Sequence, residues 1–192
     1  MSTPCEQTAL YPNGMAVDDE GRVYTNHGSD TVLQILVGDD PPDPTKLSFR
    51  HRAFATANVL VNSLSPNGIQ IEDNVLYFAA GANLNAVPIQ ADGTAGKQRT
   101  HYRGPALSYI DDFSVHNGAF VLARTIPAQL AALTPSAREP RQTATCPLPD
   151  GATPSSVRRQ PDLPAEDTVF PPGTLVVTAF FGGGLYTLPS VP

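Results

Sequence analysis

The sequence predicts an all-β fold built from repeats, and three observations carry that expectation. A Pro-Asn-Gly phrase followed by an apolar residue occurs at Pro12-Asn13-Gly14-Met15 and again at Pro66-Asn67-Gly68-Ile69. Each occurrence opens the same succession of polar turn, apolar run, Asp- or Asn-containing turn and second apolar run, and such self-similarity marks a repeat architecture. Composition agrees: the 192 residues include 20 Pro and 15 Gly with a charged fraction of only 16%, which suits short strands joined by turns.

The first copy runs from Met15-Ala16-Val17 through the turn Asp18-Asp19-Glu20-Gly21 to a strand over residues 22–26. An alternating, β-branched run over residues 31–37 follows. Residues 38–46 carry Asp-Asp-Pro-Pro-Asp-Pro and read as an exposed loop, because proline cannot donate to a sheet ladder. Residues 48–55 and 58–64 return the chain to the second copy. There Asp73-Asn74 joins two apolar runs, as a hairpin turn needs residues that tolerate positive φ. Residues 84–89 form the third strand of this copy, Asp92-Gly93 the next turn, and the cationic residues 97–103 an outer strand of the kind exposed edges favour.

A third copy opens at Ser108-Tyr109-Ile110-Asp111-Asp112-Phe113 and turns at His116-Asn117-Gly118. Gln129-Leu130-Ala131-Ala132-Leu133 has local helical propensity, but its place in the repeat assigns it as a strand, with residues 142–148 outside it. The fourth copy begins at Thr153-Pro154-Ser155-Ser156-Val157. It carries a Pro- and acid-rich insertion over residues 160–173, a strand over residues 174–179, a Gly182-Gly183-Gly184 turn and a last strand over residues 185–188. Repeat starts near residues 10, 64, 108 and 153 give the period of about 40–50 residues expected of four-stranded propeller blades. Residues 1–192 are therefore read as one β-propeller domain with about four blades, the plainer alternative being a β-sandwich.

Several function classes are disfavoured. A net charge of −6 argues against nucleic acid as a partner, and no apolar window is long enough for a transmembrane helix. Residues 1–7 have neither the basic start nor the apolar core of a secretory signal, so a cytoplasmic product is the default; secretion applies if the true start lies upstream. Cys5 and Cys146 are too few for a disulfide framework and are not spaced as a zinc site; they read as two thiols, with a single bridge left open.

At its motifs the chain resembles the calcium-dependent propeller lactonases, the gluconolactonase and regucalcin (senescence marker protein) family, with paraoxonases and strictosidine synthase-like proteins as more distant relatives. The resemblance rests on Pro12–Met15, Pro66–Ile69, the Ile110-Asp111-Asp112-Phe113-Ser114-Val115 run and the closing Phe181-Gly182-Gly183-Gly184-Leu185-Tyr186. It implies a propeller of the six-bladed lactonase type, of which this chain supplies the later blades. A full ring at this period takes about 260–300 residues, so a partial chain is expected, without the family's N-terminal acidic metal ligand.

Residue by residue, the resemblance implies that Asn67 is a metal ligand through its amide oxygen. Asp112 falls where regucalcin-like members hold a metal-binding carboxylate that also serves as base, and paraoxonase-like members would involve Asp111 too. Asn13 is the third implied metal residue, although many relatives carry the functional Asn where this chain has Pro12. The implied cofactor is a divalent metal, calcium first and zinc or magnesium as alternatives. The implied activity is metal-dependent hydrolysis of small-molecule lactones or related esters, with Asp112 and Asp111 as catalytic candidates. The chemistry is self-consistent: blades bring residues to one end of a shared channel, a cation there polarises a carbonyl, and a neighbouring carboxylate takes a proton.

Plainer readings stand beside these. Asn67 could cap its own turn, and Asp18-Asp19-Glu20 is a hairpin turn; His27 could face the channel mouth but as a lone His reads as a turn or packing residue, His116 reads as a turn, and His51 and His101 have no convergent partners in the sequence. Ser155-Ser156 lacks a nucleophile elbow, and the triple glycine lacks the Lys-Ser/Thr of a phosphate loop. The competing reading of the whole is a non-catalytic propeller fragment or binding module. Open blade edges also predict self-association.

Overall fold

The computed structural model describes residues 13–26, 31–36, 50–56, 66–161, 164 and 169–189. Cys5, Pro12, His27 and the loop at residues 38–46 lie outside them. Fifteen strands form four antiparallel sheets. The first contains β1 (Met15–Val17), β2 (Val23–Asn26), β3 (Thr31–Leu36) and β4 (Arg50–Thr56), hydrogen-bonded in that order. The second contains β5 (Ile69–Glu72), β6 (Val75–Ala80), β7 (Asn83–Pro88) and β8 (Arg99–Arg103), again in sequence order. The third is β9 (Tyr109–His116), β10 (Ala119–Ile126), β11 (Gln129–Thr134) and β12 (Arg141–Cys146); the fourth is β13 (Pro154–Arg159), β14 (Leu175–Ala179) and β15 (Leu185–Leu188). Each sheet is thus an up-and-down meander, the form of a propeller blade. Residues 129–133 are indeed a strand. Leu130 and Leu133 are buried there, and β11 is paired on both sides, so packing overrides local helix propensity.

Local chemistry explains the connections. Asp73 and Asn74 have φ of 51° and 57°, the left-handed pair that a two-residue hairpin between β5 and β6 demands. Asn117 and Gly118 do the same between β9 and β10.

The core lies between the sheets. Tyr24 and Val32 of the first meet Ile69, Leu76, Phe78 and Val87 of the second. Tyr77, Ala79 and Leu84 on the opposite face of the second meet Ile110, Phe113, Phe120 and Leu122 of the third. Ala123 and Leu130 of the third meet Val157, Leu175 and Val177 of the fourth. Strand β6 reads Val-Leu-Tyr-Phe-Ala-Ala because both of its faces are buried, so its apolar run is continuous.

The two outermost faces break this pattern. On β1, Ala16 packs inward while Met15 and Val17 are exposed; on β15, Tyr186 and Leu188 pack inward while Leu185 is exposed. Among the described residues no helix is long and apolar enough to cross a membrane, and Cys146 is an exposed free thiol on β12.

Candidate functional site

The first strands of successive sheets, β1, β5, β9 and β13, lie side by side, and the residues opening them face a shared cleft of about 260 Å³. Its lining includes all four residues singled out from sequence, Asn13, Asn67, Asp111 and Asp112. Ser156, Arg158 and Phe180 join them from the fourth sheet. A second, largely apolar cavity of about 70 Å³ between the third and fourth sheets contains none of the predicted residues.

The glycine of the repeated phrase has a steric cause. A side chain at Gly14 would place its Cβ 2.7 Å from Ile69 Cγ2 and 2.8 Å from the Asn67 carbonyl oxygen; one at Gly68 would lie 2.6 Å from Asp112 Cα. Both glycines sit where one blade's first strand crosses against the next, and only a bare Cα fits that approach. The Gly68 amide donates to the Asp111 carbonyl at 2.8 Å, fastening β5 to β9.

The preceding asparagines form a relay. Asn13 Nδ2 donates to Asn67 Oδ1 at 2.5 Å, and Asn67 Nδ2 donates to Asp111 Oδ1 and, at 3.1 Å, to the Tyr109 hydroxyl. Asn67 therefore does not cap its own turn; its amide links three sheets' worth of site residues. A residue that the sequence reading passed over holds the relay's backbone. Asn26, 1% exposed, accepts from the amides of Asn13 (2.6 Å) and Gly14 (2.9 Å) and donates to the Asn67 carbonyl at 2.5 Å. Its position at the end of β2 had no counterpart in the repeat phrase to draw attention to it.

The two acids are both buried but differ in their surroundings. Burial pushes the Asp111 carboxyl up to about 6; the Asn67 hydrogen bond opposes the rise and the charge of Asp112 adds to it. Asp112 Oδ2 accepts from Ser156 Oγ at 2.5 Å and from Arg158 Nη1, an ion pair from β13. Asp112 Oδ1 is buried with no hydrogen-bond partner. Ser156 and Arg158 are two apart on one strand and so project from the same face. That alternation, with a fourth repeat opening at residues 153–157, was the available signal; which of its side chains would reach Asp112 depended on how the two sheets pack.

Neighbouring polar groups are structural. Asp18 is buried and takes Arg22 Nε at 2.5 Å, the Arg22 amide at 2.8 Å and the Tyr24 hydroxyl at 3.0 Å, anchoring the first hairpin. His101 packs edge-on against Tyr77 with ring centroids 5.1 Å apart, and burial lowers its pKa to about 4.

The donor set tests whether a divalent cation fits. Every side chain on the relay side of the cleft offers oxygen: two carboxylates and two amides. The unpartnered Asp112 Oδ1 is the kind of buried acceptor that a cation would satisfy. Oxygen-only donors suit calcium or magnesium, whereas zinc favours His and Cys, neither of which lines this cleft. Among the described residues no three His, Cys, Asp or Glu side chains cluster together, so the amides would have to supply part of the coordination.

No family model matches the chain, and no curated protein matches it. Solved structures do. A luciferin-regenerating enzyme superposes with a TM-score of 0.62 at 16% identity, covering 94% of this chain and 61% of that one. A chain of a nidogen/laminin complex gives 0.61 at 16% identity, covering 95% and 61%. A candidate 6-phosphogluconolactonase from Bacteroides uniformis gives 0.52 at 12% identity, covering 94% and 56%. These neighbours are β-propeller proteins and the fold of this chain is a β-propeller. The chain spans 56% to 61% of their length.

Proposed function

We propose that this propeller belongs to a hydrolase of lactones or related esters, of the gluconolactonase and regucalcin kind, acting with a divalent cation. The observation that carries the reading is the convergence of Asn13, Asn67, Asp111 and Asp112, from three successive sheets, on one cleft. The lactonase description of one structural neighbour points the same way.

In this reading Asn67, Asn13 and Asp112 hold the cation through side-chain oxygens, with calcium the best match to the donors. A divalent ion held by these residues would supply polarisation of an ester carbonyl and a bound water of lowered pKa. Asp111 is the base. Its Oδ1 takes the Asn67 amide, which orients the carboxyl and leaves Oδ2 to receive the proton of the attacking water. Asp112 is restrained by Ser156 and Arg158 and so serves as a fixed ligand. Asn26 keeps the Asn13 and Asn67 turns in register.

Calorimetric titration of the purified chain with calcium chloride tests the cation, and hydrolysis of a panel of γ- and δ-lactones tests the activity. Binding lost in Asp112→Ala, and hydrolysis lost in Asp111→Asn with binding retained, are the expected results. Absence of binding at millimolar calcium refutes the metal-dependent reading.

A second reading has its own support. Asp112 already has an ion-pair partner in Arg158, and the chain spans about three fifths of its neighbours' length. A non-catalytic propeller portion that binds a ligand in the cleft would give ligand binding without turnover in the same assays.

A further inference from the structure

We propose that Arg158 is an anion-recognition residue of the cleft, so that the ligand it takes carries a carboxylate or phosphate group. The inference deepens the hydrolase reading by naming its substrate class, anionic lactones or esters, and in that respect rests on it.

Three features of the guanidinium point this way. First, Arg158 is held by one nitrogen: Nη1 donates to Asp112 Oδ2, to the Phe113 carbonyl at 3.1 Å and to the Val157 carbonyl at 2.8 Å. Among the described residues Nε and Nη2 have no acceptor. A guanidinium serving Asp112 alone would be expected to spend its planar fork on that carboxylate in bidentate fashion. Second, the side chain is 52% exposed while its Asp112 partner is 8% exposed, and Arg158 is among the residues that line the cleft, so the guanidinium is open to an incoming ligand there. Third, anchoring at three acceptors restricts the long side chain beforehand, which lowers the entropy that an incoming anion must overcome.

The surroundings define where the anion would sit. Arg158, Ser155, Ser156 and Phe180 line the cleft from the fourth sheet, next to Asp112, while Asn13, Asn67 and Asp111 line it from the first three. Phe180, 66% exposed, offers an apolar wall to the carbon skeleton between the anionic group and the reacting carbonyl. Such a division, with one charged anchor, one apolar wall and a polar reacting end, is a common form of small-molecule site.

Two measurements test this on the full chain. Binding of sodium phosphate and of sodium acetate, each in metal-free buffer, is followed by calorimetry for the wild type, Arg158→Gln and Arg158→Lys. We expect at least one anion to bind, with affinity roughly tenfold or more weaker in Arg158→Gln and intermediate in Arg158→Lys, which keeps the charge but not the fork. The anion that binds identifies which group the site prefers. Separately, kcat/KM is compared for a carboxylated, a phosphorylated and a neutral lactone. A loss in Arg158→Gln that is roughly tenfold or more larger on the anionic substrates than on the neutral one supports the proposal; equal loss on all three overturns it and makes Arg158 a structural partner of Asp112. Arg158-dependent anion binding without hydrolysis of any lactone upholds this inference while rejecting the hydrolase reading. Lactone hydrolysis with no anion binding does the reverse. Arg158→Lys retains a cation on Asp112, so it reports on recognition even if Arg158→Gln unfolds.

Discussion

Replacing Gly68 by alanine separates close approach from backbone conformation as the reason for the Asn-Gly phrase. The new Cβ would stand 2.6 Å from Asp112 Cα, where carbon atoms prefer about 3.5–4.0 Å, so relief takes a displacement of about 1 Å. Asp112 Cα cannot yield alone, because β9 is paired with β10 at that residue; β5 and β9 must part instead. Their separation would stretch the 2.8 Å Gly68–Asp111 hydrogen bond beyond useful length. Overpacking of this kind costs about 1–3 kcal/mol and the hydrogen bond about 1 kcal/mol more, for a total of roughly 2–4 kcal/mol. For a domain of this size that corresponds to a melting temperature lower by about 4–16 °C. Thermal unfolding followed by circular dichroism reads the effect directly. Gly21→Ala is the control: Gly21 has φ of 77° but open space around its Cβ position, so only a conformational cost of about 1 kcal/mol is expected. A Gly68→Ala protein that melts no lower than Gly21→Ala would refute the blade-crossing explanation.

Three further outcomes follow from the structure. Asp111 has a folded pKa raised to about 6 from 3.8, so its protonated form favours the fold: this stabilisation is complete below pH 3.8 and is lost as pH rises through 6. Asp111→Asn should therefore exceed the wild type in stability at pH 7–8, with the gap closing toward pH 4; parallel pH profiles of the two melting temperatures would exclude this. His101, lowered from 6.5 to about 4, acts oppositely, its contribution being present above pH 6.5 and lost as pH falls through 4, so the comparison is best repeated in a His101→Gln background. Arg124 is 1% exposed with its Nη2 on the Tyr102 hydroxyl at 2.8 Å and its Nε without a partner. Tyr102→Phe should cost about 1.5–3 kcal/mol in urea unfolding, whereas Arg124→Met should be neutral or stabilising by about 1–4 kcal/mol; a large loss in Arg124→Met would show that the charge has a favourable partner. The exposed apolar side chains Met15, Val17, Phe181 and Leu185 predict self-association of the chain. Sedimentation should show oligomers that dissociate in Val17→Lys plus Leu185→Lys, and a monomeric wild type would count against it.

The chain alone specified the strands and turns, because those follow from short-range rules. Alternation and apolar runs located β5, β6, β9 and β10, and Asp73-Asn74 announced its turn by tolerating positive φ. It also determined the relay residues Asn13, Asn67 and Asp111: an equivalent place in each repeat becomes an equivalent place at the start of each inner strand, and hence at one end of the stack. What those residues do to one another emerges from the packing of the sheets. Asn26, Ser156 and Arg158 share no repeat position with them, and their roles depend on how far each sheet is rotated and offset against the next. That rotation is set by side chains interdigitating between sheets, such as Phe113 and Phe120 against Tyr77 and Ala79, which is a cooperative property of the whole core. It is why two adjacent aspartates of identical chemistry end in different surroundings. Asp111 faces an amide and loses solvent, while Asp112 reaches across to a guanidinium and keeps its second oxygen unpartnered.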